Sequence, residues 1–289
     1  MTIAIPVSEK ATRPPEPDLV ATWVFAGGMS ALGAAAIAFQ THLPGLQPAP
    51  AGATAAGPVL AGAVLLAAGG ILAARRLRGI GGWILLTFWL AWLLLAHLPR
   101  ILDAPANITA WVAASQVVTF GLTSLCWAIG AQRWRNLSVG LMLLLFGAVH
   151  LTYPAAIAGL LPETFPLRDV WPWITGPVQI LAGLAIAVRV MPGLAAAVVS
   201  TMFMAWVAVL HTPRLMQAPS DPFEWTFALT ALVLAAAVWL AGGDGPSADD
   251  HLMVPDQPDG PIDGSAPAGD QDAPRAPGRP RGRRVRPRP

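Results

Sequence analysis

The sequence predicts an all-α membrane protein: eight transmembrane helices arranged as two parallel-related four-helix bundles, with a disordered C-terminal tail. Three observations carry this. Of the 289 residues, 55% are hydrophobic and only 12% are charged, against about a quarter charged in an ordinary soluble domain. Between Val20 and Gly242 apolar runs of about 17–24 residues follow one another, enough to cross about 30 Å of hydrocarbon. The chain also repeats itself. His97, Pro99, Arg100, Ala104, Pro105 and Trp111 recur 114 residues later as His211, Pro213, Arg214, Ala218, Pro219 and Trp225, and Thr87, Ala91 and Trp92 recur as Thr201, Ala205 and Trp206. Matches of His, Pro, Arg and Trp at one offset, in a chain rich in Ala and Leu, mark a duplication.

Taken in order, residues 1–18 are polar and Pro-rich, with Lys10 and Arg13, and read as a cytoplasmic tail. The first repeat covers 19–135. Its first span, Leu19 to Phe39, is too long for a signal-peptide core and is preceded by a long stretch of mixed charge. The second span runs from Gly57 to Ala74 and stops at Arg75, Arg76 and Arg78. The third runs from Gly81 to Leu98, where Pro99 removes an N–H from the helix ladder and ends or kinks it. The fourth runs from Ile108 to Ala131. The second repeat covers 136–242, with spans at Leu137–Tyr153, Trp173–Val190, Leu194–His211 and Pro222–Ala241. Leu43-Pro44 and Pro48 align with Leu161-Pro162 and Pro166, and Gly57-Pro58-Val59 with Gly176-Pro177-Val178. These offsets differ slightly from 114, as loop insertions would produce. Trp83, Trp111, Trp134, Trp171, Trp173 and Trp225 sit near span ends, as an interfacial aromatic belt does.

A four-helix unit returns the chain to the side it started from, so both units insert with one orientation and are related by a pseudo-twofold axis along the membrane normal. With both termini in the cytoplasm, Lys10, Arg13, Arg75, Arg76, Arg78, Arg133, Arg135 and Arg189 lie inside, and only Arg100, Arg168 and Arg214 lie outside. That bias sets the orientation of the protein in its membrane. Residues 243–289 are rich in Pro, Gly, Ala and Asp and end in a basic run. They bury too little apolar surface to offset ordering entropy. The basic end suits anionic lipid headgroups, and no folded nucleic-acid module accompanies it.

The candidate site residues gather at the outer helix ends. They are His97 with Arg100, their copies His211 with Arg214, and His150 with Tyr153, the only tyrosine. Outer loops also carry Asp103, Glu163, Asp169, Asp221 and Glu224. Neutral imidazole exchanges hydrogen bonds with a quinone-type carbonyl or hydroxyl, and arginine suits a small oxyanion or a lipid phosphate. A structural role is the alternative: interfacial arginines snorkel to headgroups, and histidines satisfy loose carbonyls at helix ends. His150 has no counterpart histidine in the first repeat, where Met29 falls near the equivalent place, which points to one pocket rather than two equal ones. No catalytic residue or metal set stands out. The chain has no HExxH, GxxxxGK[ST] or GxSxG, and its single cysteine, Cys126, excludes an internal disulfide.

FGAVHLTYP (Phe146 to Pro154) and WPWITGPVQILAGLAIAV (Trp171 to Val188) resemble the first and second helices of the DoxX family of small bacterial membrane proteins. The His-x-Pro-Arg helix end followed by a Trp is similar to that of some members. The resemblance covers residues 137–242 well and 19–131 faintly, since the first repeat lacks the helix-one His and the Pro after it. It implies a four-helix up-down bundle, here in tandem, and association with quinone-linked redox complexes. The expected function is an accessory or quinone-binding subunit of a membrane redox system, without catalysis of its own. The alternatives are a transporter or lipid-binding protein, or a scaffold recruiting a partner through its basic tail.

Overall fold

A computed structural model describes residues 19–50, 52–163 and 165–243. The charged N-terminal segment and the tail beyond 243, with its expected disorder and lipid contacts, lie outside the described residues. The first half comprises α1 (Leu19–Phe39), α2 (Gly57–Ala73), a 3₁₀ turn (Arg75–Leu77), α3 (Arg78–Trp92), a wide π turn (Leu93–His97), α4 (Leu98–Asp103) and α5 (Ile108–Ile129). The second comprises α6 (Gln132–Thr152), α7 (Pro154–Ala158), α8 (Trp171–Ala187), α9 (Pro192–Trp206), a second π turn (Val207–His211), α10 (Thr212–Gln217) and α11 (Pro222–Gly242). No strand occurs among the described residues.

The halves keep one offset from end to end. Shifted by 114, α2, α3, the π turn and α4 fall residue for residue on α8, α9, the second π turn and α10, and α1 and α5 fall within one residue of α6 and α11. This corrects the expected loop insertions. Gly62, not Gly57, matches Gly176. A Cβ on Gly33 would lie 2.5 Å from the Gly62 carbonyl, and one on Gly147 would lie 2.5 Å from the Gly176 carbonyl. The conserved requirement is the close approach of two helix backbones, which only glycine permits, and the Gly-Pro match was incidental to it. By the same offset the counterpart of His150 is Ala36, not Met29.

Six helical stretches are long and apolar enough to cross a membrane: Leu19–Phe39, Arg75–Asp103, Ile108–Ile129, Gln132–Thr152, Pro192–Gln217 and Pro222–Gly242. The two others expected to span, Gly57–Ala73 and Trp171–Ala187, are apolar but have 17 residues each. Large apolar side chains such as Leu60, Leu90, Leu95, Leu102 and Leu181 face outward, as the lipid-facing surface of a multi-pass membrane protein requires. Proline does not end the third helix. The backbone widens over Leu93–His97, with the Leu98 N–H bonded to the Leu93 carbonyl, and Pro99 then starts a further helical stretch. Val207–His211 and Pro213 do the same. A turn of i→i−5 spacing absorbs the proline ring and its missing donor. α6 begins earlier than expected, at Gln132, and draws Arg135 into the interior, where its guanidinium donates to Asn136 Oδ1 at 3.2 Å.

Each long helix packs on the next along the chain, and α11 returns to α1, so the eight close in a ring; α11 also reaches across to α5 and α6. Among the described residues the α1 backbone lies closest to α2 and α11 and meets α5 through the Phe25 ring, which packs on Phe120 and Trp127, and α5 packs on α6. The first half therefore completes itself on the second, and the described residues form one compact unit.

Candidate functional site

Both His-x-Pro-Arg segments are held by the same local chemistry. Asn107 and Asp221 cap α5 and α11 through side-chain oxygens. Trp111 Nε1 donates to the Pro105 carbonyl and Trp225 Nε1 to the Pro219 carbonyl, each at 2.9 Å. On this common frame the two histidines differ. His97 is 1% exposed, and its Nε2 donates to the Leu46 carbonyl at 3.0 Å. A carbonyl only accepts, so this bond leaves Nδ1 as the lone-pair nitrogen. In the second half the equivalent Leu160 carbonyl accepts from Arg214 instead, and Arg214 also lies 3.8 Å from Glu224. His211 is displaced from that role, and its buried Nδ1 has no hydrogen-bond partner among the described residues.

His211 instead faces a cavity of about 250 Å³ between α6, α8, α9 and α11, with α5 contributing Val112 and Gln116. Its walls are aromatic: Phe146, Phe203, Phe227, Trp171 and Trp206. Trp171 and Trp206 meet edge to face with centroids 5.8 Å apart, and Phe165 packs on both. Into this apolar space point three polar groups with buried, unpartnered atoms: Gln179 Oε1, Thr230 Oγ1 and His211 Nδ1. Leaving such an atom unpaired costs about 1–3 kcal/mol. His150 lines the same cavity. Its Nδ1–H donates to the Phe146 carbonyl at 2.7 Å, which leaves Nε2 as an acceptor.

The matching space in the first half is filled. Leu65 stands for Gln179, Trp89 for Phe203, Phe120 for Leu234, and Leu43 and Leu46 for Ile157 and Leu160; all five are at most 2% exposed. Trp92, the counterpart of Trp206, has no Trp171 equivalent, because position 57 is glycine. His42 takes that place from the loop after α1, with its ring centroid 5.4 Å from Trp92. Both its ring nitrogens are buried without a hydrogen-bond partner among the described residues, and desolvation lowers its pKa below 6.5.

The first half has a different cavity, of about 410 Å³, where His97, Arg100, Thr109 and Ala110 meet Phe223, Thr226 and Phe227 of α11. The two cavities share Val112, Gln116, Val149, Phe227 and Thr230 as a wall. Two of these five, Gln116 and Thr230, are counterparts at the 114 offset.

The expected site residues thus divide. His150 and His211 share one cavity, His97 and Arg100 share the other, and Tyr153 and Arg214 line neither; Tyr153 is 46% exposed. Trp171, expected in the interfacial belt, faces the cavity. Sequence reading missed Gln179, Thr230, Gln116, Trp206 and His42. Gln179 had a signal: it is an amide inside an otherwise apolar, Gly-rich helix. No group of three or more potential metal ligands occurs among the described residues. Comparison of the chain with protein-family models, curated proteins and solved structures finds no match.

Proposed function

We propose that this protein holds a small, mostly apolar molecule bearing carbonyl or hydroxyl groups, of quinone type, in the cavity of its second half. One observation carries the reading: an aromatic-walled space in which Gln179, Thr230 and His211 present polar atoms without partners. Small-ligand sites have this make-up, apolar walls with a few convergent polar groups. Its volume of about 250 Å³ suits a single ring rather than a large cofactor. A hydroxyl on Thr230, an imidazole on His150 and an amide on Gln179 supply both donors and acceptors, as a molecule that cycles between carbonyl and hydroxyl forms needs.

The setting proposed is an accessory subunit of a redox system in a bacterial inner membrane, DoxX-like in its second half, with eight crossings and both termini cytoplasmic. The two 17-residue helices are about 25 Å long at 1.5 Å per residue, and each packs along a longer neighbour, α1 or α6. Titrating the detergent-solubilised protein with a short-chain quinone tests the ligand. A saturable rise in melting temperature that disappears in Gln179→Leu supports the reading, and an equal response in the variant refutes it. The shared wall at Gln116 and Thr230 favours transport as the second reading, which substrate flux into proteoliposomes would distinguish.

A further inference from the structure

The two halves treat one arginine position in opposite ways. Arg214 is neutralised from within: Glu224 lies 3.8 Å away, and the Leu160 carbonyl accepts from the guanidinium. Arg100, its counterpart, has neither. The position matching Glu224 is Ala110, and the carbonyl matching Leu160, that of Leu46, is occupied by His97. No carboxylate stands within ion-pair distance of Arg100 among the described residues. Arg100, Ala110 and His97 all line the cavity of about 410 Å³, whose lining also includes the apolar side chains of Val112, Val149 and Phe227. Alanine stands in place of the second half's acid, His97 holds the carbonyl, and an open space stands beside the cation.

We propose that this first-half cavity is a second binding site, for an anionic amphiphile whose phosphate or carboxylate pairs with Arg100 and whose tail lies along Val112, Val149 and Phe227. A planar guanidinium pairs with such oxyanions in a two-pronged geometry. His97 Nδ1, left as an acceptor by its bond to Leu46, suits a protonated headgroup oxygen or an adjoining hydroxyl. The headgroup end of the site is separate from the quinone-type reading, because Arg100 and His97 do not line the other cavity, although the two cavities share Val112, Val149 and Phe227 as a wall.

The test is built into the repeat. Full-length protein is equilibrated with phosphatidylcholine vesicles with or without phosphatidylglycerol, extracted in mild detergent, and weighed by native mass spectrometry. Inorganic phosphate alone is titrated in parallel. Wild type is expected to retain one anionic lipid. Ala110→Glu, which installs the second half's counter-ion, and Arg100→Gln, a change at an exposed side chain, should each weaken retention about tenfold or more, the scale of a lost charge-assisted bond. Arg100→Gln decides the matter if Ala110→Glu fails to fold. Specific saturable binding of inorganic phosphate, abolished by Arg100→Gln, would assign the oxyanion to a free ion and overturn the amphiphile. Equal retention of anionic lipid by wild type and Arg100→Gln would overturn the site.

Discussion

His211 occupies the place in the second half that His97 occupies in the first, yet only His97 holds the loop carbonyl opposite it, Leu46 O, at 3.0 Å. The matching carbonyl of Leu160 is held by Arg214. One change of partner accounts for two features at once: a histidine free to face a cavity, and an arginine neutralised inside the protein. The first half shows the opposite pairing, with a satisfied histidine and an arginine facing open space.

Arg214→Gln removes the tie to Leu160 and leaves Glu224 without its cation. We expect a loss of about 1–2 kcal/mol, modest because Arg214 is one-third exposed. Adding Glu224→Ala should restore part of it. Thermal unfolding of the single and double variants checks this, and additive losses would show that the two side chains act separately.

Gln179→Leu copies Leu65. It exchanges a buried amide with an unpaired oxygen for a side chain that the first half packs at 0% exposure. The variant should be more stable than the ligand-free wild type by about 1–3 kcal/mol. A lower melting temperature would mean that Gln179 has a structural partner.

α3 meets α5, and α9 meets α11, through one small-residue contact with the glycine on opposite sides. Gly82 faces Ala128, whereas Ala196 faces Gly242. A Cβ on Gly242 would collide with that of Ala196. Gly242→Ala should therefore destabilise, and Ala196→Gly/Gly242→Ala should recover part of the loss, since the Pro192 carbonyl, 2.9 Å from the new Cβ, still has to shift. Melting temperatures of the three proteins read the coupling.

His42 lies in the loop between α1 and α2 and has its pKa lowered by desolvation. The unfolded chain binds its proton more readily than the folded one. Stability from this group is thus complete above about pH 6.5 and falls as pH drops through the window below that value. His42→Phe keeps a ring against Trp92 and should flatten that part of the stability profile between pH 5 and pH 7. An unchanged slope would assign it to other groups.

Much of the fold was legible because a membrane helix is written in composition and length, and because a duplication exposes itself in rare residues. The 114 offset was visible at His97 and His211 but lost in the loops, where Gly and Pro recur for reasons of their own. The π turns were hidden because a proline announces an interrupted ladder without saying how the backbone repairs it. His150 and His211 were singled out from their chemistry, and the fold brings them to one cavity. Gln179 and Trp171 were passed over because a span end and an apolar run look alike whether the helix faces lipid or a cavity. That distinction depends on which helices pack together, and the closure of α1 on α11 leaves no local mark.

The measurement that bears most directly on the central claim is identification by mass spectrometry of small molecules carried through purification in mild detergent, for wild type, Gln179→Leu and His211→Ala. Retention of a quinone-type molecule by wild type, with loss in both variants, is the predicted result. Recovery of the same small molecules in equal amounts from all three proteins would contradict it, and would leave the second-half cavity to water that satisfies Gln179, Thr230 and His211.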